Sequence, residues 1–207
     1  MKVAAVVLAA GSASRFGGGK VLADLDGRPL LRHVVDAARE AGLGPIVVVG
    51  PPSGALDEVD LGAVRRVVNP HPEGGLSGSV RLGLRALVDE VAEAAEAADA
   101  AVILPGDQPR VRPAVIRALI DAAAEAPDAG FVVPRYAADG SRNPVLARRA
   151  VWRLADELAG DRGFGPLLAA HRERIREVPV DGDNPDVDTP DDLRRLAATG
   201  SRPGDVS

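Results

Sequence analysis

Apolar runs alternate with amphipathic segments along most of the chain. Residues 3–8 form a continuous apolar run, which is typical of a strand buried on both faces. Further runs predict strands at residues 46–49, 65–68, 100–104, 131–134 and 174–180. Between them, apolar residues recur at helical spacing, as after Pro29, after Gly78 and after Pro113. Strands that alternate with helices predict an α/β fold with a doubly wound, mostly parallel sheet, which binds ligands at the carboxyl ends of its strands.

Length and composition narrow the classes of protein that the chain can belong to. With 207 residues, the chain predicts one domain over residues 1–198 and a disordered tail over 199–207. The formal net charge of −5 and the absence of a basic block argue against nucleic acid and membrane surfaces as partners. No cysteine is present, which excludes disulfides and thiol nucleophiles. No signal peptide or membrane span is recognisable, so we expect a cytoplasmic protein.

A glycine-rich loop follows the first predicted strand. Glycines let backbone N–H groups approach an anion closely, and two cations in the loop add positive charge. The residues concerned are Gly11, Ser12, Ser14, Gly17, Gly18 and Gly19, with the cations Arg15 and Lys20. Lys2 and Lys20 are the only lysines in a chain otherwise rich in arginine, which indicates that the compact charge of Lys20 is required. The loop predicts a polyphosphate ligand.

Two common phosphate-binding motifs do not fit this loop. A Walker P-loop needs glycine where Ser14 stands and serine or threonine where Val21 stands. A dinucleotide fingerprint needs G-x-G-x-x-G, and Gly11 is followed by Ser12 and Ala13. The second strand also lacks a terminal acidic residue for a ribose. Both motifs are therefore excluded.

The loop instead carries L-A-A-G-x-x-x-R-x-G-x-x-K over residues 8–20, and L-x-G-x-P-L-L follows over residues 25–31. This pattern resembles the MobA-like NTP transferases. The resemblance implies a three-layer, Rossmann-like fold of the nucleotide-diphospho-sugar transferase type. It also implies Mg²⁺-dependent transfer of a nucleotide, with Arg15, Lys20 and Asp107 as catalytic residues. The nucleotide would be contacted by Leu8, Ala9, Ala10, Gly11, Ser12 and Lys20.

A second loop, residues 69–80, leads from the third strand into a helix. Ser77 or Ser79 suits the cap of that helix. The same loop is similar to the family's base-binding segment, which implies that Leu76, Gly78 and Ser79 line the base pocket. Both interpretations stay open at this point.

Carboxylates follow the ends of two later strands. Asp107 stands in G-D-Q-P after a predicted central strand, where it suits Mg²⁺ beside phosphates, since hard cations take oxygen ligands. Asp186 and Asp188 alternate on an extended segment with Val187 facing the other way. Thr189 and Asp192 predict the cap of a final helix. The resemblance implies that Asp107 binds the nucleotide and the metal, with Asp188 as the second metal ligand and Asp186 as the alternative.

Two further segments are similar to parts of the family that face the acceptor substrate. Asn143 precedes a proline in R-N-P-V-L, and Arg162 lies in G-D-R-G. The resemblance implies that both residues bind the acceptor substrate. Each is equally consistent with a turn that has no catalytic role.

The motifs L-A-A-G, G-D-Q-P and G-D-R-G are most similar to the molybdenum cofactor cytidylyltransferases. That branch implies transfer of a nucleoside monophosphate from CTP to the phosphate of molybdenum-bound molybdopterin, with release of pyrophosphate, and a molybdenum hydroxylase as a further partner. We expect CTP over GTP, because the methyl group of Ala10 takes up room that guanine needs and because the Ser79 hydroxyl can donate and accept at the pairing edge of cytosine. Most of the preference should come from these hydrogen bonds. The alternatives are a guanylyltransferase or another NTP transferase with a different phosphorylated acceptor, an NAD(P)H-dependent oxidoreductase acting on a small heterocycle, and a non-catalytic cofactor chaperone.

Overall fold

Nine strands form in the computed structural model, which describes residues 1–11, 16, 19–54, 56–91, 97–161 and 163–200. In chain order they are β1 (Val3–Leu8), β2 (Asp24–Leu25), β3 (Arg28–Pro29), β4 (Ile46–Gly50), β5 (Arg65–Val68), β6 (Ala100–Pro105), β7 (Phe131–Tyr136), β8 (Val145–Arg148) and β9 (Ile175–Val180). Seven of them make one sheet in the order β5-β4-β1-β6-β8-β7-β9, and β2 pairs with β3 in a small hairpin. Within the described sheet, β8 alone runs antiparallel to its neighbours.

Helices cover both faces of the sheet. The α-helices are α1 (Leu30–Glu40), α2 (Leu76–Val91), α3 (Pro113–Glu125), α4 (Gly165–Ala170) and α5 (Pro190–Gly200). Shorter 3-10 helices lie at Lys20–Leu22, Pro72–Gly74, Arg149–Glu157 and Arg172–Arg174. Helices α1 and α3 pack on one face, and α2, α4 and Arg149–Glu157 pack on the other. None of the described helices is long and apolar enough to cross a membrane.

Strand β1 shows why the sheet is buried on both sides. Ala5 and Val7 belong to the core under α1 and α3, whereas Val6 and Leu8 belong to the core under α2. Successive side chains point to opposite faces, so a strand covered twice must be apolar throughout. The predicted α/β, doubly wound and mostly parallel fold is confirmed.

Local details differ from the sequence-based expectations. The hairpin β2–β3 and strand β8 were not predicted, and residues Arg149–Glu157 form a 3-10 helix. The tail was predicted over residues 199–207, but helix α5 includes Thr199 and Gly200, and residues 201–207 lie outside the described residues. The two-residue strands β2 and β3 carry too few positions to show a periodicity, and the Asn-Pro pair directly before β8 favours a turn.

The chain passes from β1 to β4 and β5 on one side and returns to β6 on the other side of β1. This reversal makes the carboxyl ends of β1 and β6 the expected ligand site. The two ends are close together, because the Gly106 N–H donates to the carbonyl of Leu8 at 2.9 Å. A Cβ built at Gly106 would lie 2.8 Å from that carbonyl oxygen, so glycine permits the approach.

Candidate active site

Lys20 lies between two carboxylates at the carboxyl edge of the sheet. Its Nζ is 2.6 Å from Asp107 Oδ2 and 2.9 Å from Asp188 Oδ1, and it donates a hydrogen bond to each. The Lys20 side chain is 13% exposed, that of Asp107 24% and that of Asp188 52%. The structure therefore brings together three of the residues that the sequence predicts for catalysis and metal binding.

A small apolar cluster holds the segment that carries Asp188. Leu25 and Leu30, from the hairpin and the start of α1, pack with Val187 in this cluster. Val187 is buried, and its N–H donates to the carbonyl of Asp107 at 3.0 Å. The predicted alternation, with Val187 facing away from Asp186 and Asp188, is consistent with this burial. The motif L-x-G-x-P-L-L thus has a structural task, since its leucines anchor the segment that carries Asp188.

The electrostatics of the cluster follow from burial and proximity. Burial alone would lower the pKa of Lys20, but its hydrogen bonds and ion pairs with Asp107 and Asp188 outweigh that effect and raise the pKa above its ordinary 10.5. The pKa of Asp186 is raised above its ordinary 3.8, first by burial and then by the negative charge of Asp107. A hydrogen bond from Gln108 opposes part of the shift on Asp186. Lys20 therefore stays protonated at neutral pH.

The carboxylates suit a divalent metal. Asp107 and Asp188 both contact one cationic atom, Lys20 Nζ, so their oxygens already converge on a single positive charge. Carboxylate oxygens are preferred ligands of Mg²⁺ and Mn²⁺, which are often held by one or two carboxylates together with substrate phosphates. Among the described residues, no group of three or more His, Asp or Glu side chains is arranged for a metal. The donor set therefore fits a metal that substrate oxygens complete.

A cavity of about 340 Å³ opens at the same edge of the sheet, where Leu8 and Pro105 end β1 and β6. Its apolar wall consists of Leu8, Leu76, Val80, Ile103, Pro105, Val145, Phe164 and Leu168. Polar side chains come from Arg142, Asn143 and Asp161. Leu8 and Leu76 were predicted to contact the nucleotide and Asn143 to contact the acceptor substrate, and all three line this one cavity.

Asn143 reaches this edge of the sheet because of the direction of β8. Strand β8 pairs antiparallel with β6, so its first residue, Val145, lies opposite Ile103 near the carboxyl end of β6. The segment that precedes β8 therefore lies at the same edge as Asp107. The sequence named Asn143, but only the strand order places it there.

The start of α2 is held by a distant loop. The N–H of Leu76 donates to Asp161 Oδ1 at 3.1 Å, and the N–H of Ser77 donates to the carbonyl of Gly160 at 3.1 Å. The predicted serine cap is wrong, because α2 begins at Leu76, ahead of both serines. Asp161 instead binds a free N–H of the first turn, as a carboxylate at a helix start does.

The first turn of α2 and the segment directly after β1 carry four residues predicted for the nucleotide site, of which Ser79, Ala9 and Ala10 are buried and Gly78 is partly exposed. The Ser79 hydroxyl is buried and accepts a hydrogen bond from Asn69 Nδ2 at 3.0 Å, and Gly78 packs beside the same Asn69 side chain. Ala9 and Ala10 are also buried, whereas Gly11 is exposed. Their roles toward a nucleotide stay predictions. Ser12, Arg15 and Arg162 lie outside the described residues.

Two buried amides went unassigned in the sequence analysis. Gln108 and Asn184 are each 2% exposed, and Gln108 Nε2 donates to Asp186 Oδ1 at 2.7 Å. The available signal was their position, since Gln108 directly follows Asp107 and Asn184 lies two residues before Asp186. His33 Nε2 donates to the carbonyl of Leu25 at 2.8 Å.

The amino-acid sequence is similar to those of two nucleotidyltransferases. The phosphoenolpyruvate guanylyltransferase of Rubrobacter xylanophilus is 33% identical over 175 residues, which cover 83% of this chain and 79% of that protein. The 3-deoxy-manno-octulosonate cytidylyltransferase of Rhodospirillum centenum is 36% identical over 108 residues. That match covers 48% of this chain and 37% of the cytidylyltransferase, so the chain spans less than half the length of this relative.

Solved structures agree with the sequence matches. Rv0371c from Mycobacterium tuberculosis H37Rv superimposes with a TM-score of 0.81 at 34% identity, covering 96% of this chain and 98% of that one. A structure of Rv0371c in complex with manganese matches with a TM-score of 0.76 at 32% identity, covering 96% of this chain and 100% of that one. The family model of the MobA-like NTP transferase domain matches residues 5–175, which include Lys20 and Asp107 and end before Asp188. The chain belongs to the MobA-like NTP transferase domain family and is a nucleotidyltransferase.

Proposed function

We propose that the site transfers a nucleoside monophosphate from an NTP to an oxygen of a small phosphorylated acceptor and releases pyrophosphate. The observation that carries the proposal is Lys20, held between Asp107 and Asp188 at the sheet edge where the cavity of about 340 Å³ also opens. Such a transfer needs positioned charge more than covalent help from the protein. An acceptor oxygen bonds to the α-phosphorus while the bond from that phosphorus to the pyrophosphate oxygen breaks.

The chain's own residues take separate parts in this reaction. Asp107 and Asp188 would hold Mg²⁺ or Mn²⁺, which supplies positive charge to the phosphate oxygens. Lys20 donates to phosphate oxygens once it is drawn from the carboxylates, and Arg15 is proposed to act on the same charge. Leu8 and Leu76 present apolar surface to the substrates. No covalent intermediate with the protein is required.

The names of the relatives suggest which nucleotide and which acceptor to test first. The matched guanylyltransferase covers most of this chain, which makes GTP with phosphoenolpyruvate the first pair to test. The cytidylyltransferase match makes CTP the second nucleotide. Asn143 and Asp161, on the rim of the cavity, are the described polar groups best placed to select the acceptor substrate, and Arg162 is proposed to join them.

A specific observation favours a second candidate, the transfer of CMP to a ring-bearing acceptor such as molybdenum-bound molybdopterin. Most side chains that line the cavity are apolar, and Phe164 contributes an aromatic face. Phosphoenolpyruvate, a small acceptor with several negative charges, would gain little from contact with this apolar surface, because burying a charge beside apolar groups is unfavourable. A fused heterocycle with one phosphate fits it better.

Product formation with matched substrates tests the proposal. The protein is incubated with Mg²⁺, one α-labelled NTP at a time, and phosphoenolpyruvate or molybdopterin, and pyrophosphate release is measured with the labelled product. Asp107→Asn should lose most of the activity. Asp121→Asn makes the same change on an exposed position of α3 and should keep it.

The outcomes separate the alternatives. Product with GTP and phosphoenolpyruvate supports the first candidate, and product with CTP and molybdopterin supports the second. Equal activity of Asp107→Asn and the native protein overturns the proposed site. Tight NADPH binding without turnover of any NTP would instead support an oxidoreductase, and cofactor binding with no turnover would support a chaperone.

A further inference from the structure

A chain of buried amides leads to the carboxylate beside the proposed metal ligands. Gln108 uses both ends of its side chain: Nε2 donates to Asp186 Oδ1 at 2.7 Å, and Oε1 accepts from Asn184 Nδ2 at 2.9 Å. A carboxylate only accepts from an amide, so the Nε2 end must face Asp186. The orientation of Gln108 then requires the donor from Asn184. The three side chains therefore form one directed network, called here the amide relay.

The relay is anchored at both ends. Asn184 Nδ2 also lies 3.5 Å from the carbonyl of Asn143, at the start of the segment that enters β8. At the other end, Asp186 precedes Val187, whose N–H donates to the Asp107 carbonyl. Asp188 follows and pairs with Lys20. The relay thus joins the wall of the cavity to the segment that carries the proposed metal ligands.

Burial of these amides is not explained by stability alone. Gln108 and Asn184 are each 2% exposed, and burying amides is costly unless every group is paired. Asn184 Oδ1 is buried without a hydrogen-bond partner among the described residues, so the desolvation of this oxygen lowers the stability of the fold. Apolar side chains would fill the same space without the desolvation penalty of an amide. Because the buried amides lower stability, their presence indicates a function that depends on the fixed orientation of these side chains.

We propose that Gln108 and Asn184 are positioning residues that hold Asp186 next to the Asp107–Lys20–Asp188 cluster, where its charge supports the binding of a divalent cation. This inference deepens the proposed function and rests on it for the identity of the metal site. The amide of Gln108 restrains one oxygen of Asp186, and Asn184 restrains Gln108. Partners that orient carboxylates around a metal commonly change metal affinity by tenfold or more when they are removed.

Binding of Mn²⁺ alone, measured by the loss of the free-ion EPR signal, tests the inference without substrates. Gln108→Met keeps the length of the side chain and removes its amide, and the Mn²⁺ dissociation constant should rise about tenfold. Asn184→Leu should weaken binding to a similar extent. The double variant should be no weaker than the weaker single variant, because residues of one network are not additive.

Controls separate positioning from loss of stability. Ile116→Val removes a methylene from the buried apolar face of α3 without removing a hydrogen bond of the relay, and it should lower the Tm while leaving the Mn²⁺ dissociation constant unchanged. Gln108→Asn is a milder variant in case Gln108→Met does not fold. Its shorter amide cannot reach both Asp186 and Asn184, so it should also weaken Mn²⁺ binding.

A Mn²⁺ dissociation constant of the folded Gln108 variants within twofold of the native value overturns the proposal. Single effects that multiply in the double variant overturn it as well, as does a native protein that binds no Mn²⁺ at millimolar concentration. Because the readout is binding, a failure of the transfer assay leaves this test intact. If Mn²⁺ binds and the relay variants weaken it while no NTP is consumed, the proposed function fails and the positioning role stands.

Discussion

Lys20 occupies the position between the carboxylates that a divalent cation would need, so replacing it should tighten metal binding. In Lys20→Met, a side chain of similar length without charge takes its place. In the absence of nucleotide, the native lysine must give up its contacts at 2.6 Å to Asp107 and 2.9 Å to Asp188 before the metal can enter. The variant does not carry that cost. We therefore expect Lys20→Met to bind Mn²⁺ more tightly than the native protein.

The magnitude follows from the two ion pairs. Asp188 is 52% exposed, so its pair with Lys20 contributes little after screening, whereas the pair with Asp107 is better shielded at 24% exposure. Two partly exposed ion pairs together are worth about 1.4 kcal/mol, since each contributes up to about 1 kcal/mol. Repulsion between an ammonium and a divalent ion about 4 Å apart in water gives a similar figure, about 2 kcal/mol. The Mn²⁺ dissociation constant should therefore fall about tenfold.

Titration with Mn²⁺, followed by EPR at fixed pH and salt, measures the change. Lys2→Met is the matched control, because it removes the only other lysine at the opposite end of β1, about 20 Å away. The control should leave the dissociation constant unchanged. Equal or weaker Mn²⁺ binding by Lys20→Met would show that the carboxylates do not form a cation site in competition with Lys20.

Three further changes have expected outcomes. Lys20→Arg should lose about tenfold in kcat/KM of nucleotidyl transfer, since a planar guanidinium does not replace a compact ammonium between two carboxylates. Gly106→Ala should lower the free energy of unfolding in urea by about 1–3 kcal/mol, because its Cβ would lie 2.8 Å from the Leu8 carbonyl oxygen. Hydrogen bonds from Thr189 lower the pKa of Asp192 from 3.8 to about 2, so its stabilising effect is present above pH 3.8 and is lost as the pH falls toward 2. The Tm difference between the native protein and Asp192→Asn should therefore shrink over that range.

Each of these changes has an outcome that contradicts it. A fully active Lys20→Arg enzyme would mean that the shape of the cation is unimportant. Gly74→Ala, where an added Cβ meets nothing within 4 Å, is the control for Gly106→Ala, and equal stabilities of the two variants would refute the steric argument. For Asp192, a Tm difference that does not change between pH 4 and pH 2 would show that the carboxylate contributes no pH-dependent stability.

The sequence by itself determined the elements whose signal is local. Strand β1 is visible as an apolar run because both faces of that strand are covered, and burial on both faces leaves no room for polar residues. The cap of α5 is visible because Thr189 and Asp192 stand three residues apart, and the structure confirms their hydrogen bonds. The two-residue strands β2 and β3 are too short to show a periodicity, and β8 follows an Asn-Pro pair that favours a turn, so local patterns did not predict these strands.

Sequence motifs predicted Lys20, Asp107 and Asp188 as site residues but could not show that their side chains are in contact. Lys20 is separated by 87 residues from Asp107 and by 168 from Asp188, and their contacts depend on the order of strands in the sheet. The same holds for Gln108, whose amide finds Asp186 78 residues away. Pairwise contacts at such separations follow from packing of the whole chain, and no local pattern encodes them. The tertiary structure alone decided that one lysine stands between two carboxylates and that buried amides hold a third beside them.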